Sequence, residues 1–174
     1  MKWLKKAALM GLFVSSMSLA ATELSVATPS DSAQEYQSLI SLYFAAARTG
    51  NNEVVSEFLS AGFPIDQRNR ESYTALMVAA YQGNGPTVEL LLRSGANACL
   101  QDKRGNTALM GALLKREIQI ARTLYQAECA DDIRNKAGLS VAEFAQLYGQ
   151  SETLKMLHQE KMAAQSQTKN ASIH

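Results

Sequence analysis

Two cysteines are the side chains whose type and spacing could do chemistry in this sequence of 174 residues. Cys99 and Cys129 both lie in the second half of the chain. In an oxidising compartment two such thiols can form a disulfide, provided that their Cα atoms come within about 7 Å of each other. The alternative is a pair of small, half-buried thiols that fill space, and the spacing does not decide between the two. A reactive thiolate would need a base or a cation beside it, and no local motif supplies one.

The two histidines, His158 and His174, do not fall into a pattern typical of catalysis or metal binding. A catalytic triad or a zinc site needs partners at defined spacing, and no HExxH, CxxC or GxSxG motif occurs. His158 is interpreted as a solvated or capping residue near the end of a helix. We therefore expect no enzyme, no metal and no cofactor, with a thiol-based redox protein as the less favoured alternative.

The segment 1–20 has the pattern of a secretory signal peptide. Lys2, Lys5 and Lys6 precede a short apolar stretch, and small residues then lead to Ala20, after which we expect cleavage. The apolar stretch is shorter than the roughly 20 residues of a membrane-spanning helix, so no stable membrane insertion is expected. The sequence thus predicts an exported, periplasmic protein.

Polar segments flank the remaining chain. Residues 21–35 are interpreted as a flexible spacer, and residues 161–174 as a polar tail of the same character. Without residues 1–20 the chain has 14 Lys and Arg against 16 Asp and Glu, so its formal charge changes from +1 to −2. This balance gives no indication of nucleic-acid binding.

Between these segments the sequence repeats with a constant period. The segment TALMVAA at 74–80 recurs as TALMGAL at 107–113, and more weakly as SVAEFA at 140–145. Within one unit, Thr74 can cap a short helix and Gly83 can end it. Pro86 suits the opening turn of a second helix, and the apolar stripe that follows has helical spacing. Each unit is therefore predicted to be a helix, a turn and a second helix.

The period and these boxes resemble the ankyrin-repeat family, whose unit has about 33 residues and carries a Thr-Pro-Leu-His-x-Ala core. The resemblance implies an all-α solenoid of about four helix-turn-helix units with β-turn fingers. The ankyrin-repeat domain is expected over 36–160, with units at 36–68, 69–101, 102–134 and 135–160. In the segments 74–79 and 107–112, which correspond to this core, Ala and Met replace Pro and His. Arg116 and Glu128 stand where glycines are expected. The residues expected in its core are Leu76, Leu91, Leu92, Leu109, Ile118, Ile120 and Leu124.

The resemblance also implies where a protein partner would bind: the finger tips, and the exposed side of the first helix of each unit, which we call the palm. Transferred unit by unit, the predicted contact residues are Arg70, Tyr73, Lys103, Arg104, Asn106 and Lys136 on the tips, and Tyr81, Gln82, Leu114, Lys115 and Tyr148 on the palm. Tyr73, Tyr81 and Arg104 are the expected anchors, because Tyr and Arg combine large contact area with hydrogen bonds. Further tip charges such as Arg68 and Arg134 would steer an acidic partner, or would only keep the surface soluble.

Short signal-bearing proteins of this kind resemble a bacterial group associated with periplasmic catalase and peroxide resistance. The resemblance implies a non-enzymatic scaffold that supports such an enzyme. The alternative is an immunity protein that neutralises a toxic effector acting in the periplasm, such as a phospholipase. Both functions would use the same tips and palm.

Overall fold

The computed structural model describes residues 29–127, 129–130 and 132–171. The predicted signal peptide, residues 21–28, Glu128, Asp131 and residues 172–174 lie outside the described residues. The described part contains eight helices and, as its only β-structure, one isolated bridge between Arg134 and Ser140. The helices are α1 Pro29–Thr49, α2 Asn52–Ser60, α3 Ala75–Gln82, α4 Gly85–Arg93, α5 Ala108–Lys115, α6 Ile118–Tyr125, α7 Val141–Leu147 and α8 Ser151–Ala171.

The helices form two layers. One layer contains α1, α3, α5 and α7, each packed against the next, and the other contains α2, α4, α6 and α8 in the same order. Fully buried small residues such as Ala79, Ala80 and Ala112 let neighbouring palm helices approach closely. The predicted all-α solenoid is confirmed. Among the described residues, no helix has both the length and the apolar character needed to cross a membrane.

Three palm helices begin with the same hydroxyl cap. The Oγ1 of Thr74 accepts a hydrogen bond from the backbone N–H of Met77 at 3.3 Å, and Thr107 and Ser140 make the equivalent bonds to Met110 and Glu143. Each bond satisfies an N–H of the first turn that has no partner inside the helix. Because the cap recurs once in each of these units, α3, α5 and α7 start at equivalent places and their exposed residues fall into register.

The ends of the palm helices share a left-handed residue. Gly50, Gly83 and Gly149 have φ of 75°, 80° and 67°, and Arg116 holds the equivalent place with φ 61°. A side chain in this conformation clashes with its own backbone, at a cost of about 1–2 kcal/mol. Arg116 therefore occupies a strained position that the other units fill with glycine.

Of the seven residues expected in the core, four are buried, two are half-buried and pack against the core, and one is exposed. Leu76, Leu91, Ile120 and Leu124 are buried. Leu92 and Leu109 are only half-buried, and Ile118 is 40% exposed, so its assignment to the core was wrong. Ile118 lies two residues before Ile120, which is about 200° around a helix, so the two side chains point to opposite faces.

The two polar flanks are more helical than predicted. Residues 29–35, assigned to the flexible spacer, form the first turns of α1, and residues 161–171 of the polar tail continue α8. Pro29 is at a position where proline is tolerated, and the tail after Gly149 has no Gly or Pro to stop the helix. Once a helix has nucleated, each further residue adds one hydrogen bond, so polar segments can extend it.

Cys99 and Cys129 form a disulfide in the structure, with their Cα atoms 5.4 Å apart. Cys99 follows α4 and Cys129 follows α6, so the bond joins two consecutive units. Space-filling free thiols, the alternative left open by the spacing, are not what the structure contains.

Candidate partner-binding face

Three fingers connect the units, and we define them as residues 68–73, 101–106 and 134–139. Each is closed by an Asn or Asp at its second position: Asn69, Asp102 or Asn135. The Oδ1 of Asp102 accepts the backbone N–H groups of Arg104 and Asn106, both at 2.8 Å, and the other two fingers repeat this pattern. The turns are thus held by their own side chains, and the residues at their tips project outward.

A ladder of side chains ties one finger to the next. Arg68 donates from Nη1 to the carbonyl of Gln101 at 2.6 Å, and Gln101 donates from Nε2 to the carbonyl of Arg134 at 2.9 Å. Each donor also bonds a carbonyl in its own finger. Arg68 and Arg134, predicted as tip charges, are exposed and at the same time take part in the hydrogen bonds that connect the fingers. Sequence reasoning missed Gln101, although it lies one repeat period from both arginines, which was a usable signal.

The second and third fingers are in direct backbone contact. The N–H of Lys136 donates to the carbonyl of Arg104 at 2.9 Å, and a Cβ on Gly105 would lie 2.8 Å from the Lys136 nitrogen. The Asn135 amide donates to Oδ1 of Asn106 at 3.0 Å. Asn106, predicted as a partner contact, is half-buried, contributes to this junction and also lines a concave surface with Tyr81 and Leu114.

Glu143 fixes the third finger to the start of α7. Its carboxylate accepts the backbone N–H of Ser140 at 2.8 Å, the Ser140 hydroxyl at 2.7 Å and Nη1 of Arg134 at 2.6 Å. The hydrogen bonds from Ser140, followed by the one from Arg134, lower the pKa of Glu143 to about 2. The carboxylate is therefore ionised at neutral and at mildly acidic pH.

The palm presents one exposed residue per unit at equivalent places. We call Arg48, Tyr81, Leu114 and Leu147 the palm row. Three of the four are large apolar side chains, with exposed fractions of 43% for Tyr81, 39% for Leu114 and 65% for Leu147. Moving an apolar side chain out of water lowers the free energy of the system, so such a row favours contact with another molecule.

The fingers present a second row with the same period. We call Arg70, Lys103 and Lys136 the finger row; all three are exposed. Lys103 lies 3.5 Å from Glu71 in a solvent-exposed pair, a type that is worth about 0–1 kcal/mol. For Arg70 and Lys136, no ion pair is found within the described part of the chain.

Concave surfaces lie between the palm helices and the fingers. One of about 110 Å³ is lined by residues that include Tyr81, Arg104 and Leu114. A larger one of about 640 Å³ lies at the first unit, where Arg48 and Arg70 contribute to its walls. We call the palm row, the finger row and these concavities together the finger–palm groove.

The remaining predicted contacts divide between this groove and the scaffold. Gln82, Lys115 and Tyr148 are exposed at the ends of palm helices, and the Lys115 ammonium stands 4.9 Å from the centre of the Tyr81 ring. Tyr148 packs its ring 4.5 Å from that of Phe144. Tyr73, predicted as an anchor, is half-buried: it packs against the core and also lines the concave surface formed by Tyr81, Arg104 and Leu114.

Outside the groove, His158 is exposed and its Nδ1 lies 3.2 Å from the hydroxyl of Tyr125. Within the described ranges, no group of three or more His, Cys, Asp or Glu side chains is placed to hold a metal ion. The chemistry that the groove offers is non-covalent: apolar burial, hydrogen bonds and cationic contacts.

Comparisons with known proteins agree with this architecture. The family model described as ankyrin repeats (3 copies) matches residues 42–137 and 76–170. Protein HOS4 of Saccharomyces cerevisiae is 41% identical over 86 residues, which is 45% of this chain and 8% of that protein. A putative ankyrin repeat-containing protein of Treponema pallidum is 33% identical over 104 residues, 59% of this chain and 35% of that protein. The human mitochondrial disaggregase is 44% identical over 57 residues, 33% of this chain and 8% of that protein.

The matched segment thus spans about a third or less of each of these relatives. The family match, by contrast, extends over most of the present sequence and coincides with the helix pairs and fingers described above. The chain belongs to the ankyrin-repeat family, whose repeats form scaffolds for protein–protein interaction.

Proposed function

We propose that this chain is an exported, periplasmic scaffold that binds one protein partner in the finger–palm groove and catalyses no reaction. The observation that carries the proposal is the palm row, in which Tyr81, Leu114 and Leu147 remain exposed at one residue per unit. Exposed apolar side chains in a contiguous, polar-rimmed arrangement are typical of protein-binding surfaces.

The compartment rests on two features that support each other. The signal-peptide pattern of residues 1–20 directs export, and the Cys99–Cys129 disulfide is of a kind that persists outside the reducing cytosol. A periplasmic catalase is the partner that the family resemblance suggests first. A toxic effector is the alternative, and either partner would use the same groove under this proposal.

Photo-crosslinking from defined positions in living cells tests the proposal. Benzoylphenylalanine would replace Tyr81 or Leu114 in the full-length chain, and a matched probe would replace Arg93, which is exposed on α4 in the other layer. The periplasmic fraction would be collected after irradiation, and crosslinked proteins would be identified by mass spectrometry, with and without peroxide in the growth medium.

We expect positions 81 and 114 to give the same crosslinked protein and position 93 to give none. A catalase in that adduct would support the peroxide-resistance role, and a secreted toxin would support the immunity role. Equal crosslinking from all three positions would contradict groove-specific binding. Recovery of the mature chain only from the cytosol would contradict the proposed compartment.

A further inference from the structure

We infer that the partner segment bound in the finger–palm groove is acidic on one edge and apolar on the other, with both features repeating at the spacing of the ankyrin units. This inference rests on the proposed function and specifies the chemistry of its partner. It comes from the two rows taken together, because they share the period of the repeat, and Arg48 of one row and Arg70 of the other line the same concave surface.

The fingers concentrate positive charge that the chain as a whole does not have. The ranges 68–73, 101–106 and 134–139 hold six Lys and Arg and two acidic residues, whereas the whole chain has a formal charge of only +1. Both finger carboxylates are engaged, Glu71 by Lys103 at 3.5 Å and Asp102 by two backbone N–H groups. A partner with carboxylates would therefore meet an unbalanced line of cations.

Not every finger cation is equally available. Arg68 and Arg134 are exposed, but both donate to backbone carbonyls of the fingers, and Arg134 is also paired with Glu143. Arg70, Lys103 and Lys136 project from the tips and stay exposed. The finger row thus repeats one cation at the period of the palm row, and Arg104 adds a second exposed cation in the second finger, where it lines the same concave surface as Tyr81 and Leu114. Three of the four palm-row residues are apolar.

The spacing sets what a matching segment looks like. Stacked helices are about 8–10 Å apart, so each row has a pitch of that order. An extended segment in the polyproline II conformation rises about 3.1 Å per residue and returns to an equivalent position every third residue. A helix rises about 1.5 Å per residue and returns after about seven. The intervals between acidic and between apolar residues in a bound peptide will therefore reveal its conformation.

A phage-display selection tests the inference. Random peptides, each long enough to span two units, would be panned on the purified disulfide-bonded chain. Selected peptides would be made with a fluorescein label, and their affinity would be measured by fluorescence anisotropy at low and high salt. The variants are Lys103→Glu with Lys136→Glu for the finger row, Leu114→Ser for the palm row, and Arg93→Glu as a matched charge reversal in the other helix layer. Lys136→Gln provides a milder change, and circular dichroism verifies that each variant is folded.

We expect the selected peptides to be enriched in Asp and Glu as well as in Leu, Ile and Phe. The double finger-row reversal should weaken binding about tenfold or more at low salt and remove most of the salt dependence, with Lys136→Gln in between. Leu114→Ser should also weaken binding, and Arg93→Glu should leave it within about twofold, as expected for a distant exposed charge.

Two other outcomes separate this inference from the function on which it rests. Peptides that need Leu114 but show no acidic enrichment and no response to the finger-row variants would overturn the acidic partner and leave groove binding intact. If no selected peptide depends on either row, both the inference and the proposed function fail.

Discussion

The side-chain amide of Gln101 donates a hydrogen bond to the backbone carbonyl of Arg134 at 2.9 Å, across two units of the solenoid. The same amide bonds the Gly105 carbonyl at 2.6 Å, so one partly buried side chain joins two fingers. Side-chain hydrogen bonds such as those of Gln101 therefore align the fingers, in addition to the packing of the helices beneath them.

Replacing Gln101 by Ala should destabilise the chain by about 1–2 kcal/mol, since two hydrogen bonds are lost and two carbonyls lose a donor. Equilibrium urea denaturation followed by circular dichroism would measure this. Gln82→Ala is the control: Gln82 is exposed at the end of α3, and its loss should change the free energy of unfolding by no more than about 0.5 kcal/mol. Equal effects of the two substitutions would show that the ladder contributes nothing to stability.

Arg116→Gly should raise stability by roughly 0.5–1 kcal/mol, because glycine adopts the left-handed conformation without strain. The reverse change at the equivalent place, Gly83→Ala, should lower stability by a similar or larger amount. Thermal and urea denaturation of both variants would provide the comparison. A destabilised Arg116→Gly variant would mean that the Arg116 side chain makes contacts worth more than its backbone strain.

Gly105→Ala and Gly138→Ala form a matched pair, because both glycines have φ of 78°. At Gly138 a Cβ would meet nothing within 4 Å, so only the conformational cost of about 1 kcal/mol is expected. At Gly105 the Cβ would lie 2.8 Å from the Lys136 nitrogen, which forces the two fingers apart. We expect Gly105→Ala to be the more destabilising by at least about 1 kcal/mol in urea denaturation. Equal losses would argue against the close backbone contact.

The contribution of Glu143 to stability should depend on pH in a defined direction. Its folded pKa of about 2 lies below the ordinary value of 4.5, so its stabilising effect is full above pH 4.5 and is lost as the pH falls towards 2. The stability difference between the parent chain and Glu143→Gln should therefore shrink over this range. Urea midpoints measured from pH 2 to 7 would show the change.

Ser140→Ala tests whether the serine hydroxyl lowers the pKa of Glu143, because it removes the hydrogen bond from that hydroxyl while keeping the backbone N–H of residue 140 and Arg134. Carbon-13 NMR titration should show the Glu143 carboxyl titrating at higher pH in this variant. An unchanged titration would mean that the serine hydroxyl does not lower the pKa.

Removing the disulfide by Cys99→Ser with Cys129→Ser should reduce the free energy of unfolding by about 3–4 kcal/mol, the loop-closure value for a sequence separation of 30. Reduction of the parent chain with dithiothreitol should give a similar loss. A stability that is unaffected by either treatment would indicate that the two thiols are unpaired in solution.

Periodic features of this fold could be predicted from the sequence, and local exceptions could not. Helix caps such as Thr74 and stops such as Gly83 act within one turn, so a repeated pattern is enough to place them. The helical state of residues 161–171 was missed because polarity was taken to indicate flexibility, although helix propensity does not require an apolar stripe.

The candidate groove shows the same division. The exposed palm residues follow from the period, since equivalent positions on stacked helices face the same way. The roles of Arg68 and Arg134 depend on which carbonyl lies within reach of a long side chain, and the residue type alone does not reveal that. The partial burial of Tyr73 has a similar origin, because an aromatic ring beside a turn can pack against the core, and the residue type alone does not reveal that.

The equal pitch of the two rows also gives the groove a translational near-symmetry. A segment that fills two neighbouring palm-row positions can occupy Tyr81 with Leu114 or Leu114 with Leu147, and the finger row offers a cation in each frame. Two equivalent frames add about 0.4 kcal/mol of mixing entropy, since RT is about 0.59 kcal/mol and the factor is ln 2. Under the proposed binding mode, such a segment would exchange between these two positions by a shift of one repeat unit. Arg48 ends the apolar part of the palm row, because its charged guanidinium is a poor contact for an apolar side chain. A partner that binds in a single register would therefore have to contact the first unit.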